Sequence, residues 1–255
     1  MNKLRERLQR NEKINGTLVC LSDPCLCEIM GNAGYDCVWI DMEHTYISYK
    51  EVLSHLNASK SVDLSAIVRL PQHDLTATKK VLEMGPDGII FPMARSVSEV
   101  RELIEMTLYP PHGSRGFGPM RAVRYGADSA EEYTSSKSLD MLRFVQIESV
   151  ELLENIEEAV NIPFVDGFIF GPNDLSGSLG EFMNVFGEKT FSKIKVAADI
   201  IKKKGKFVGL AGGFSEDVIM KWSEVNLDMM FAGADWCFLY SQGKETLEKL
   251  KKHFK

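Results

Sequence analysis

The chain lacks several features, and each gap removes a class of function. No run approaches the roughly 18 consecutive apolar residues of a membrane-spanning helix. Met1–Lys13 is charged throughout, where a secretory signal needs an apolar stretch of roughly 7–15 residues. The expectation is a cytoplasmic protein with no membrane partner. Cysteine is sparse: Cys20, Cys25, Cys27, Cys37 and Cys237 are an odd set without a CxxC pair, so neither a disulfide framework nor a zinc knuckle is expected. They read as free thiols filling core space. A basic stripe is also missing. The 30 Lys and Arg are scattered among 36 Asp and Glu, for a formal net charge of -6, and nucleic acid is not an expected partner.

What is present fits one α/β domain. With 255 residues, 44% hydrophobic and 26% charged, the chain has the size of a single barrel, and residues 1–255 are read as one domain. From Gly16 onward, short β-branched runs alternate with longer amphipathic stretches, the pattern of repeated βα units around a parallel sheet. Eight strands are expected: Thr17–Leu21, Cys37–Ile40, Ala66–Arg69, Gly88–Phe91, Arg143–Ile147, Gly167–Phe170, Phe207–Leu210 and Met229–Ala232. Helical spacing covers Tyr49–Ser59, Asp74–Met84, Ser98–Leu108, Val150–Ala159, Phe191–Lys204, Glu216–Ser223 and Lys244–His253. Eight alternations without a Pro/Gly/Ser-rich linker favour a closed (β/α)8 barrel over an open doubly wound sheet. One segment breaks the rhythm. Tyr109–Gly126, YPPHGSRGFGPMRAVRYG, is too rich in Gly, Pro and Arg for a helix, and reads either as a functional loop or as a surface loop packed under the barrel rim.

In such a barrel the βα loops all open at the C-terminal ends of the strands, so polar residues there face one mouth. Asp41-Met42-Glu43-His44 follows the second strand, Arg69 ends the third, Gln146-Ile147-Glu148 ends the fifth, and Gly171-Pro172-Asn173-Asp174 follows the sixth. Glu148 and Asp174, hard carboxylates from adjacent strands, suit Mg2+, Mn2+ or Co2+ with positions left for water and a chelating 2-oxo acid. The alternative is a pair of mouth carboxylates bridged to arginines. Asp41 and His44 lie close enough for the carboxylate to orient an acid/base imidazole, against the plainer role of a capping or packing histidine. Glu43 reads as structural, paired with a cation. Arg69 brings a fixed planar fork suited to a carboxylate or enolate oxygen, or else bridges one of the acids. The Gly171-Pro172-Asn173-Asp174 turn can start a short helix whose amides bind a substrate carboxylate, although turn chemistry alone accounts for its Gly and Pro. None of the expected strands ends in the lysine that a Schiff-base aldolase needs: Lys206 precedes the seventh, and Lys79 and Lys80 lie on a helical face. A metal is therefore the expected electron sink.

Several segments, taken in order, carry a resemblance that spans nearly the whole chain: Gly34-Tyr35-Asp36, Asp41-Met42-Glu43-His44, Gly88-Ile89-Ile90-Phe91-Pro92-Met93, Tyr109-Pro110-Pro111 with Gly113-Ser114-Arg115-Gly116, Val145-Gln146-Ile147-Glu148, and Gly171-Pro172-Asn173-Asp174-Leu175-Ser176. They resemble the HpcH/HpaI aldolases, metal-dependent class II pyruvate aldolases that act on 2-keto-3-deoxy sugar acids and 2,4-dihydroxyhept-2-ene-1,7-dioate. The resemblance implies a TIM barrel of the phosphoenolpyruvate/pyruvate-domain type. It also implies cleavage of a 4-hydroxy-2-oxo acid to pyruvate and an aldehyde through a metal-stabilised enolate. It implies metal ligation by Glu148 and Asp174, an acid/base His44 oriented by Asp41, and an enolate-stabilising Arg69. Gln146 would sit beside the metal, and the Gly171-Pro172-Asn173 turn would hold the pyruvate carboxylate through amides near Gly171 and Asn173. The chain departs from the pattern at Asn173, commonly a small residue, at Leu82-Glu83-Met84-Gly85-Pro86 in place of Leu-Asp-x-Gly-Ala, and at Val225-Asn226-Leu227, which lacks a glycine. A homo-oligomer is implied, a trimer of dimers exchanging a C-terminal helix for which Lys244–His253 is the candidate. The rival readings are an acyl-CoA lyase of the citrate lyase β-subunit or malyl-CoA lyase type, and a noncatalytic barrel serving as a binding or assembly subunit.

Overall fold

A computed structural model, which describes residues 2–254, closes eight parallel strands into one barrel in sequence order. They are β1 (Ile14–Val19), β2 (Cys37–Asp41), β3 (Ser65–Arg69), β4 (Gly88–Phe91), β5 (Leu142–Ile147), β6 (Gly167–Phe170), β7 (Phe207–Gly212) and β8 (Met229–Ala234). β1 pairs with both β2 and β8, which completes the ring. Every residue of β2 to β6 is buried, because helices cover the outside and side chains fill the inside.

Alternation along each strand sorts these side chains into two layers. Val38, Ile40, Val68, Ile89, Phe91, Val145, Ile147 and Phe168 pack under the helices. Trp39, Ile67, Ile90, Phe144, Ile169 and Phe231 fill the barrel. Two residues further along the inward rows come Asp41 after Trp39, Arg69 after Ile67, and Gln146 after Phe144. Strand register sets Asp41 beside Arg69, and Arg69 level with Ile90, so a polar layer sits directly on an apolar one. The other end of the barrel is plugged by the helix Lys3–Gln9, whose Leu4 and Leu8 join the interior cluster. Arg5 fixes this plug by donating to Asp166 Oδ1 at 2.7 Å and to the Asp140 carbonyl at 2.8 Å.

The departures from expectation have local causes. β1 starts at Ile14, which is buried and pairs with Met229, and it ends at Val19 because the next two amides, of Cys20 and Leu21, donate to the Asp235 carboxylate instead of a neighbouring strand. The stretch expected as one helix over Val150–Ala159 breaks at Asn155 into Val150–Glu154 and Ile156–Ala159. The last helix runs Asp235–His253, starting well before Lys244. Helices with no counterpart among those expected from the sequence are Lys3–Gln9, Cys25–Asn32 and the helical turns over residues 121–126 and 130–140.

The Tyr109–Gly126 segment leads from the helix Val97–Glu105 towards the start of β5, on the face opposite the mouth. Arg115 is buried there. Its guanidinium lies 4.5 Å from the Tyr109 ring centre and donates to Glu83 Oε1 at 3.2 Å and to the Tyr133 hydroxyl at 3.1 Å. Arg121 ties the segment to Asn57 Oδ1 at 2.8 Å and to the Met84 carbonyl. Its contacts are those of a packed surface loop.

Candidate active site

At the C-terminal mouth the inward rows deliver one continuous hydrogen-bonded chain. Arg69 Nε and Nη2 donate to the two oxygens of Asp41 at 2.9 and 2.5 Å, a bidentate fork. Nη1 lies 3.0 Å from Glu43 Oε2 and donates to Gln146 Oε1 at 3.4 Å. Gln146 Nε2 in turn donates to Glu148 Oε1 at 2.9 Å. The other Glu148 oxygen accepts the Met93 amide at 2.8 Å. Below the guanidinium lies the Trp39 ring, 5.1 Å to its centre, so the cation rests on an aromatic floor.

Glu148 is almost wholly buried, and burial pushes its carboxyl up to about 7. The Met93 amide and the Arg69 charge work against that rise, while the charges of Glu43 and Asp174 add to it. Glu43 is raised by the same kinds of cause, burial first, with Arg69 and His44 opposing and Asp41 and Asp174 adding. Asp174 stands exposed on the first turn of the helix Pro172–Ser178, and its charge acts on both buried carboxyls. The structure thus gathers Asp41, Glu43, Arg69, Gln146, Glu148 and Asp174 at one mouth.

His44 is there too, on a more open footing. Its side chain is 64% exposed, and Nε2 sits 3.9 Å from Glu43 Oε2. The expected orientation of this imidazole by Asp41 is not what forms: the Asp41 carboxylate is taken by Arg69, and it accepts the backbone amides of Glu43 and His44 at 2.9 and 3.4 Å. A second correction concerns Gly171. Its amide donates to the Ile147 carbonyl at 3.2 Å and is not free for a substrate. Pro172 has no N–H, so Asn173 and Asp174 supply the first unpaired amides of that turn. What Gly171 provides is space: a Cβ there would lie 2.5 Å from Glu148 Oε1.

A cavity of about 660 Å³ opens beside this chain, lined by Asp41, His44 and Arg69 together with Asn173 and residues that follow β1, β7 and β8. The wall from β7 and β8, including Phe214 and Trp236, gave no signal in the sequence because it is built of apolar and glycine residues. Met93 was noted only as the end of a motif and given no role, since it acts through its backbone amide. Its φ of 51° places a non-glycine residue in the left-handed region beside the site, where such strain gathers.

A family model, HpcH/HpaI aldolase/citrate lyase, matches residues 16–212, which include every one of these mouth residues up to Gly212. The chain belongs to the HpcH/HpaI aldolase/citrate lyase family. It is 28% identical over 251 residues to a hydroxypyruvate/pyruvate aldolase of Pseudomonas aeruginosa, covering 98% of this chain and 93% of that one. It is 30% identical over 210 residues to a 2-keto-3-deoxy-L-rhamnonate aldolase of Escherichia coli, covering 82% and 78%. A crystal structure of a family member from Burkholderia cenocepacia superimposes with a TM-score of 0.91 at 25% identity, covering 98% of this chain and 100% of that one. Relatives of this kind are carbon–carbon lyases, and so is this chain.

Proposed function

We propose that the chain reversibly cleaves a 4-hydroxy-2-oxo acid to pyruvate and an aldehyde, with Glu148 and Asp174 holding a divalent cation such as Mg2+, Mn2+ or Co2+. The observation that carries the reading is the buried chain from Arg69 through Gln146 to Glu148, with Asp174 acting on its far end. These residues fit a hard cation: the donors are carboxylate oxygens, and Glu148 is raised by burial first, with the charges of Glu43 and Asp174 adding to it. No group of three or more His, Cys, Asp or Glu placed to hold a metal occurs among the described residues. A site with two protein carboxylates leaves coordination positions for a substrate that chelates.

When bound, such an ion polarises the 2-oxo group as a Lewis acid. Arg69, locked by Asp41 and Glu43, stabilises charge developing on the enolate oxygen without having to reorient. The amides of Asn173 and Asp174 receive the pyruvate carboxylate. His44 Nε2 removes the proton from the 4-hydroxyl during cleavage and returns it during addition, with Glu43 rather than Asp41 as its neighbouring carboxylate. Gln146 holds Glu148 and Arg69 in one register.

The test is pyruvate release from a 4-hydroxy-2-oxo acid, read by coupled reduction to lactate. Chelator abolishes it, Mn2+ restores it, and Glu148→Ala or Asp174→Ala blocks the restoration. Release that persists in chelator overturns the metal reading.

The proposal includes a homo-oligomer, a trimer of dimers that exchanges the C-terminal helix. Support comes from the helix Asp235–His253, in which only Asp235 is buried while Leu239, Leu247 and Leu250 are exposed. A cytoplasmic location is in keeping with five free cysteines, and no helix among the described residues is long and apolar enough to cross a membrane.

A further inference from the structure

The mouth cavity has more wall than pyruvate needs, and the character of that wall bears on the second substrate. Among the described residues that line it, only Asp41 and Arg69 carry a fixed charge, and they neutralise each other through the fork described above. The third guanidinium nitrogen is held by Glu43 and Gln146. Among the described residues no lysine and no second arginine lines the cavity. The surroundings are acidic. Asp41, Glu43, Glu148 and Asp174 outnumber Arg69 four to one, so even a divalent ion leaves one negative charge in excess before the pyruvate carboxylate is added.

The far wall is apolar and aromatic. Phe214, 41% exposed, lines the cavity from the loop after β7 and Trp236, 54% exposed, from the first turn of the helix Asp235–His253, with Leu21 from the loop after β1. Phe214 is held edge-on against Phe238, ring centres 5.3 Å apart. That pair depends on Gly233, whose φ is +68° and where a Cβ would lie 2.7 Å from the Phe238 ring and 3.0 Å from Phe214. The fold therefore gives up a side chain at the end of β8 to seat two aromatic rings beside the reaction site.

We infer that the acceptor aldehyde is uncharged along its tail, its body resting on Phe214 and Trp236, and that aldehydes ending in a carboxylate or sulfonate are rejected. An anionic tail finds no free cation among the described residues of the wall, loses its hydration against aromatic faces, and adds to a negative mouth. This inference rests on the aldolase reading above and names the acceptor class for that site.

Butanal and succinic semialdehyde are close in shape and differ in a terminal methyl against a carboxylate, so they isolate the charge. With pyruvate and Mn2+, kcat/KM for butanal addition is expected to exceed that for succinic semialdehyde by at least about tenfold, the scale of a single unpaired charge at a partly desolvated site. Phe214→Lys is expected to narrow or reverse the ratio. A binding readout accompanies the kinetics: in metal-free protein butanal perturbs the fluorescence of Trp236, the exposed tryptophan beside buried Trp39 and Trp222, and succinic semialdehyde does not. Equal or better use of succinic semialdehyde by the unaltered protein overturns the inference and leaves the aldolase reading intact. Exchange of the pyruvate methyl protons in D2O without butanal addition does the same. Absence of both exchange and addition sinks the aldolase reading, and this inference with it.

Discussion

At the scale of single residues, the site depends on how closely Glu148 is confined. Gly171 leaves it room, the Met93 amide and Gln146 each hold one oxygen, and nearby carboxylates make its ionisation costly. Gly171→Ala forces the carboxylate aside, and kcat/KM is expected to fall by about a hundredfold, the scale of a misplacement near 1 Å, with only a small drop in Tm. A pH dependence follows from the raised carboxyl. In the folded chain Glu148 keeps its proton to about pH 7, whereas the unfolded chain loses it near the ordinary value of 4.5. Between those values the folded state binds more protons, so in chelator stability falls as pH rises, by up to about 3 kcal/mol, and stays low above pH 7. Urea unfolding of the unaltered protein and of Glu148→Gln at pH 5 and pH 8 checks this; the variant is expected to show a flatter dependence. These residues were legible in the sequence as types at strand ends. Their partners were not: Asp41 turned out to clamp Arg69 because strand register sets the two side by side, while the short hop from Asp41 to His44 suggested a closer link to the imidazole.

At the scale of elements, the polar layer is held up by the apolar one beneath it and by the plug at the opposite end. Leu4 and Leu8 of the helix Lys3–Gln9 complete the interior cluster around Trp39, Phe144 and Phe231. Leu4→Ala is expected to lower the unfolding free energy by about 2–5 kcal/mol, as for other large-to-small changes in cores, with kcat/KM within about twofold. Denaturant melts paired with steady-state kinetics separate the two effects. The strands were readable because a sheet covered on both faces leaves near-continuous β-branched runs, as in Cys37–Asp41 and Ser65–Arg69. The plug helix was obscured by its charges: Lys3, Arg5, Glu6 and Arg7 surround two leucines whose purpose appears only when the barrel is closed. Tyr109–Gly126 was ambiguous for a related reason. Its Gly and Pro mark an irregular path, and only the burial of Arg115 between tyrosines shows what the path is for.

At the scale of the whole molecule, closure of the ring brings residues from four strand ends to one mouth, and leaves the C-terminal helix with exposed apolar side chains. Light scattering coupled to gel filtration is expected to give a mass several times the 28.7 kDa of one chain, and truncation after Gly243 to lower it; a monomer would contradict the proposed exchange. The family was readable because three of its motifs, at residues 41–44, 146–148 and 171–174, fall at the strand ends that build the mouth. The acceptor wall was not, because Phe214 and Trp236 differ from ordinary core aromatics only in where the barrel places them. The most direct measurement is calorimetric titration of the protein with Mn2+, with and without pyruvate. One ion per chain is expected, bound more tightly with pyruvate present, with binding lost in both Glu148→Ala and Asp174→Ala; unchanged binding in either variant contradicts the assignment of these two carboxylates.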